Sequence, residues 1–181
     1  MSFMKELHDK KILENAKIAV NISAIQFKHS DMYKTVIESL KSSKLDSKFL
    51  ELELTETFIM ENIDETILIL NNLKELGIQL SIDDFGTGYS SLSYLKQFPI
   101  DKLKIDKSFI SEITSSNKDI AIIKTIIALA KGLGIKVIAE GVEQINQKDF
   151  LAIENCDEIQ GWVYAKALKK EAFVEFVKNF K

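Results

Sequence analysis

Short runs in which apolar and polar residues alternate recur along the chain, at Lys17–Ser23, Phe49–Thr55, Gln79–Asp84, Lys102–Asp106, Lys136–Gly141 and Glu158–Tyr164. Their β-branched and aliphatic content predicts six strands. Between most of them the hydrophobic period lengthens to that of a helix. Over Asp64–Leu76, Ile69, Leu70, Leu73 and Leu76 share one face and Gly77 stands at the expected stop; a second helix is predicted from about Lys118 to Leu133, ahead of Gly134. Two helix-to-strand joints resemble each other, Leu73-Lys-Glu-Leu-Gly-Ile-Gln-Leu-Ser-Ile-Asp83 and Ala130-Lys-Gly-Leu-Gly-Ile-Lys-Val-Ile-Ala-Glu140. Such repetition marks βα units. Short helical patterns also lie near Lys5–Asn15 and Lys170–Phe180.

Sequential βα units form either an open doubly wound sheet or a closed barrel, and the polar positions favour the barrel. One alternating set on the strands is apolar, as with Val20 and Ile22, Leu52 and Leu54, and Leu103 and Ile105, and is expected to face surrounding helices. The other set carries Asn21, Glu53, Asp83, Lys104, Glu140 and Gln160, one for each predicted strand. A barrel aims such groups at one axis and gathers the site at its C-terminal mouth, whereas an open sheet spreads them over a crevice. The predicted fold is α/β, an incomplete TIM-like (β/α) barrel of about six strands.

Composition narrows the function without choosing it. A chain of 181 residues, 46% hydrophobic and 28% charged, is one globular domain. Its 27 acidic and 24 basic side chains are well mixed, with net charge −3, which disfavours a general nucleic-acid or membrane-surface binder. The single cysteine, Cys156, excludes an internal disulfide, and no signal peptide or apolar stretch of spanning length is present. A cytoplasmic location is expected. The only proline is Pro99, and nothing marks a domain boundary.

Chemistry enters at Asp83-Asp84, where two adjacent carboxylates close an apolar strand just before Gly86 and Gly88. Because successive strand residues point to opposite sides, such a pair at a strand end can offer oxygens to two cations. Mg²⁺ and Mn²⁺ suit these ligands. With Glu53, Glu140 and the Asn21 amide there are donors for two divalent ions about 4 Å apart, an arrangement suited to phosphodiester cleavage. Lys104 would position the attacking water or neutralise charge on the phosphoryl oxygens. His8 and His29 lie in helical or loop segments away from these strand ends, so no serine or cysteine nucleophile system is indicated. The residues alone point to a metal-dependent phosphoester hydrolase or a sugar-phosphate barrel enzyme.

The chain resembles the EAL domain family of cyclic di-GMP phosphodiesterases from about Ala16 to Phe176. The likeness rests on ordered motifs: Asn21-Ile-Ser-Ala-Ile-Gln-Phe27, Glu53-Leu-Thr-Glu56, the Asp83 to Leu92 loop, Lys102-Leu-Lys-Ile-Asp106, Ala139-Glu-Gly-Val-Glu143 and Gln160-Gly161. It implies metal ligation by Asn21, Glu53, Asp83 and Asp84, a water-orienting Lys104, and Glu140 beside the metals. It further implies loop anchoring by Glu56 and active-site positions at Glu143 and Gln160. The reaction implied is hydrolysis of cyclic di-GMP to the linear dinucleotide pGpG, supported by two Mg²⁺ or Mn²⁺ ions and inhibited by Ca²⁺. Dimerisation near the loop after Asp84, and an upstream sensory or GGDEF-type domain in a longer protein, are partners that the resemblance suggests.

The sequence departs from the family pattern before Asn21. The Glu-Ala-Leu tripeptide, which the family carries on an earlier strand, does not occur, and Met4–Asn15 reads as the helix that would follow it. The expectation is a single EAL-like domain over residues 1–181 without its first two strands, one metal-binding carboxylate and the arginine that contacts substrate. A non-catalytic receptor or interaction domain is the alternative. Asn155-Cys-Asp in place of Gly-Cys-Asp, and Ala167 in place of a common proline, are expected to alter a loop and not the metal site.

Overall fold

The alternation in the strands is resolved in space as two faces of one curved sheet. The computed structural model describes residues 1–29, 31–59, 62–88, 92–113 and 116–180. Six parallel strands, β1 (Ile18–Ile22), β2 (Leu50–Thr55), β3 (Gln79–Phe85), β4 (Lys102–Ile105), β5 (Lys136–Ala139) and β6 (Glu158–Ile159), pair strictly in sequence order. The helices described are α1 (Ser2–Asp9), α2 (Ala24–His29), α3 (Met32–Ser43), α4 (Glu56–Ile59), α5 (Ile63–Glu75), α6 (Leu92–Leu95), α7 (Lys107–Ser111), α8 (Asn117–Leu133), α9 (Ile145–Ile153) and α10 (Lys170–Asn179). Helix α8 ends on Gly134, as its spacing predicts.

Leu52, Leu54, Leu80, Ile82, Leu103, Ile105 and Val137 join Leu70 and Leu73 of α5 and Ile123, Ile127 and Ala130 of α8 in one apolar core. The opposite face of the same strands is also buried, yet it carries Glu51, Glu53, Ser81, Lys102 and Lys104. Buried charges survive only when paired. Lys102 therefore bonds Glu51 at 3.0 Å and Glu158 at 2.8 Å, one level below the Lys104 cluster.

Curvature follows from which residues share a cavity. Ala19 of β1 and Glu158 of β6, at opposite ends of the sheet order, line one space of about 370 Å³ with Glu51, Glu53, Lys102 and Lys104. The sheet thus wraps round an axis as in a TIM-like barrel, and its charged face is the interior. Among the described residues no strand pairs with the outer edge of β1 or β6. The helices flanking these edges touch instead. Phe3 of α1 meets Phe173 of α10 edge to face at 6.3 Å, and Lys170 bonds Glu6 at 2.8 Å.

Three details differ from the sequence-based expectation. Helix α1 ends at Asp9, because the chain turns through a left-handed Lys11 (φ 54°), and does not continue to Asn15. Strand β6 stops at Ile159 and gives way to turns, although backbone bonds still tie Gln160 and Val163 to Ala139 and Val142. The third, in β3, shapes the candidate site.

Candidate active site

Asp83 and Asp84 do not simply point to opposite faces of a regular strand. The β3–β4 register shifts between Ile82 and Phe85, and Asp84 takes a left-handed conformation (φ 54°) within the strand. Asp tolerates this region better than most side chains. The bulge brings one carboxylate oxygen from each of Asp83, Asp84 and Glu140 within 4.8 Å of one another.

Lys104, at the centre of β4, reaches three of the expected residues at once. Its Nζ lies 2.8 Å from Glu53, 3.0 Å from Asp83 and 2.7 Å from Glu140. An ammonium has three donors, so this set is complete. Burial alone would depress Lys104, but the bonds to Glu140 and Glu53 outweigh it and raise the pKa above the usual lysine value. Burial also pushes Glu140 up, against the pull of Lys104. Asp84 is raised as well, by burial first and then by the charges of Asp83 and Asp106.

One end of the Asn21 amide lies 3.2 Å from Glu53 Oε2 and 3.3 Å from Asp83 Oδ2. With nitrogen at that end it donates to both. With oxygen there, three acceptors face each other, an arrangement that a cation reconciles. Donor chemistry and geometry therefore both fit a hard divalent ion. The residues able to hold it are Asn21, Glu53, Asp83, Asp84 and Glu140.

Around this cluster, Glu56 is buried at the start of α4, and its Oε2 accepts from the backbone N–H of Gly86 at 2.8 Å and of Gly88 at 3.2 Å. Gly86 has φ +100°, and a β-carbon at Gly88 would press on the Glu56 carboxylate. Gln160 lines the barrel interior and an adjoining cavity, whereas Glu143 lies outside the metal cluster and pairs with Lys107 at 2.6 Å. The loop after Asp84, expected as a dimer surface, is described only as far as Gly88; residues 89–91 lie outside the described residues.

Asp106 escaped the sequence reading. It caps α7, accepting from Ser108 N–H at 2.9 Å, and shares a hydrogen bond with Asp84. Burial works to raise it, but Ser108 and the Lys107 backbone hold its pKa below the usual value. Its signal was a capping residue directly after a strand, ahead of Lys-Ser. His8 is remote from the cluster and bonds the Ala16 carbonyl. Cys156 is held up at about 11 by burial, so it carries no thiolate chemistry near neutral pH.

Comparison with known proteins places this geometry in a family. The profile described as "EAL domain" matches residues 1–167. The chain is 45% identical over 168 residues to the cyclic di-GMP phosphodiesterase NbdA of Pseudomonas aeruginosa, covering 93% of the chain and 22% of that protein. Among solved structures, the PaMucR phosphodiesterase in its c-di-GMP complex superposes with a TM-score of 0.92 at 40% identity, over 95% of this chain and 69% of that one. Klebsiella pneumoniae BlrP1 was solved as a manganese/cy-diGMP complex (TM-score 0.79, 29% identity, 91% of this chain and 44% of that one). Its calcium/cy-diGMP complex superposes at 0.80 and 30% identity, over 91% of this chain and 42% of that one. The chain thus spans about a fifth of NbdA. Among the described residues no helix is long and apolar enough to cross a membrane.

Proposed function

The chain belongs to the EAL domain family, and from that premise we propose that it hydrolyses one phosphodiester of cyclic di-GMP to linear pGpG. The observation that carries this reading is the convergence of Glu53, Asp83 and Glu140 on Lys104, with Asp84 and Asn21 alongside, at one end of the barrel interior. Asn21, Glu53, Asp83 and Asp84 would hold two Mg²⁺ or Mn²⁺ ions, with Glu140 beside them. Bound there, the ions would neutralise phosphoryl charge and make a water more acidic.

The chain's own groups divide the remaining work. Lys104, raised above the ordinary lysine value, stays protonated through the physiological range and is a fixed donor, not a base. It orients the attacking water and offers charge to the phosphoryl oxygens. Glu140, whose carboxyl burial pushes up, takes the proton as the water oxygen bonds to phosphorus. The bond to the ribose oxygen then breaks, and that oxygen leaves as a hydroxyl with the proton that Glu140 returns. Glu56 fixes the turn that carries Asp84, and Gln160 and Glu143 sit where the rest of the dinucleotide would extend.

The test is chromatographic detection of pGpG from cyclic di-GMP with Mn²⁺, at high protein concentration. Product from the wild type, formed roughly 10²–10³-fold more slowly by Lys104→Met, supports the reading. Saturable calorimetric binding without product assigns the chain to a receptor role, and no binding removes both.

A further inference from the structure

Gln147 of α9 is only 5% exposed, although it sits on a helix outside the sheet and away from the charged interior. Burying a carboxamide is costly unless its hydrogen bonds are made. Here three are. Oε1 accepts from the backbone N–H of Glu143 at 2.8 Å and of Gln144 at 3.0 Å, and Nε2 donates to the Ile110 carbonyl at 3.0 Å. The bond from Gln144 has an ordinary explanation, since Gln147 is the N3 residue of a capping box on α9. The bond to Ile110 has none of that kind: it crosses to α7 and adds nothing to the cap.

Helix α7 is where the two sides of the metal-binding mouth meet. Its N-cap, Asp106, shares a hydrogen bond with Asp84. On the other side stands Glu140, whose N–H is tied to the Ile105 carbonyl at 3.1 Å. The segment that follows it turns at Gly141 (φ +67°), where a β-carbon would overlap the Lys107 stem, so the chain runs close against the first residue of α7. Two links then hold this segment to the helix. One is the Lys107–Glu143 pair, which is exposed and therefore weak. The other is the Gln147 amide, which is buried, neutral and fully bonded to Glu143, Gln144 and Ile110.

Building on the phosphodiesterase reading, we infer that Gln147 is a positioning residue for that site: its amide locks the segment after Glu140 onto α7 and so fixes Glu140 relative to Asp84, which Asp106 holds from the same helix. Gln147 acts through the backbone. Its loss therefore slows the chemical step more than it weakens substrate binding.

Gln147→Glu separates this role from helix capping. Glutamate is a usual N3 partner in a capping box, so the bonds from Glu143 and Gln144 persist, while the donor to Ile110 becomes an acceptor facing a carbonyl. At about pH 8 in Mn²⁺, the variant is expected to keep the wild-type helical spectrum and the slow hydrogen exchange of the Glu143 and Gln144 amides. Its KM for cyclic di-GMP is expected to stay within about threefold of wild type, while kcat per folded protein falls about tenfold. Gln147→Met, which has none of the three bonds, is expected to lose more kcat and to exchange those two amides faster. Wild-type kcat in either variant, or a loss carried by KM alone, overturns the positioning role and leaves the phosphodiesterase reading standing. Rapid exchange of the Glu143 and Gln144 amides in the wild type overturns the tether whether or not the variants fold. A wild type that yields no pGpG overturns the phosphodiesterase reading and the catalytic role of Gln147 with it.

Discussion

Lys104 carries one positive charge against three carboxylates, so the cluster it centres is under-neutralised without a metal. Lys104→Met keeps most of the volume but strands Glu53, Asp83 and Glu140 without a counter-charge. Breaking a buried pair in this way costs about 3–5 kcal/mol. Thermal denaturation in EDTA should show that loss, Mn²⁺ should recover part of it, and turnover should fall roughly 10²–10³-fold in either case. Asp84 behaves in the opposite sense. Its pKa, and that of Glu140, are raised, so their contribution to stability is present below the ordinary carboxylate value of about 4 and is lost as pH rises through the raised values. Asp84→Asn keeps a side chain that tolerates the left-handed backbone and removes the repulsion. The metal-free variant should be more stable than wild type by up to about 1 kcal/mol, with the gap in melting temperature widening from pH 4 to pH 7. It should also lose the stabilisation that Mn²⁺ gives the wild type; a variant that keeps it would place the ion elsewhere.

At the scale of elements, the sequence was most readable where one period persists. The six strands were legible because an apolar face and a polar face alternate, and α8 because Ser116 caps its start and Gly134 its end. The bulge in β3 was not legible, since Ser-Ile-Asp-Asp-Phe continues a strand pattern and only the register with β4 shows the shift. Among the polar strand residues, convergence of Asn21, Glu53, Asp83, Lys104 and Glu140 could be anticipated from their common parity, but the Lys102 level beneath them was passed over. Glu51 and Glu158 share that parity but lie one level below the strand ends, where alternation alone does not distinguish a buried ion pair from a solvated face. The Glu56 anchor joins α4 to the turn after β3 across 30 residues, a contact that no local pattern encodes. Glu56→Gln removes the charge from two backbone hydrogen bonds and should cost about 1–3 kcal/mol. Faster hydrogen exchange at Gly86 and Gly88, with lower turnover and an unchanged secondary-structure spectrum, is the expected outcome; unchanged exchange would remove Glu56 as the anchor.

For the whole molecule, the question is how a curved sheet with two unpaired edges holds its shape. An unpaired edge is a template for association, and neither β1 nor β6 has an outer strand partner among the described residues. The interior cannot act as an apolar glue, because Glu51, Lys102 and Glu158 line it and are held by their ion pairs. Burial outside the sheet, on α5 and α8, fixes the middle strands but leaves the ends dependent on the helices beside them. Those helices, α1 and α10, meet through the Phe3–Phe173 edge contact, the Glu6–Lys170 bond and Lys170 lying 4.7 Å from the Phe3 ring centre. The Lys10 and Lys170 ammonium groups hold the exposed Glu6 carboxyl down at about 2, so this bond persists across the physiological range. Exposed ion pairs contribute little, and the aromatic contact should dominate. Phe173→Ala should therefore destabilise the chain by about 1–2 kcal/mol and release the two ends, whereas Lys170→Ala should do neither appreciably. Light scattering and size-exclusion chromatography of the Phe173→Ala protein should show concentration-dependent association through the uncovered edges. If it associates no more than the wild type and its melting temperature is unchanged, the contact between α1 and α10 does not hold the barrel's ends together.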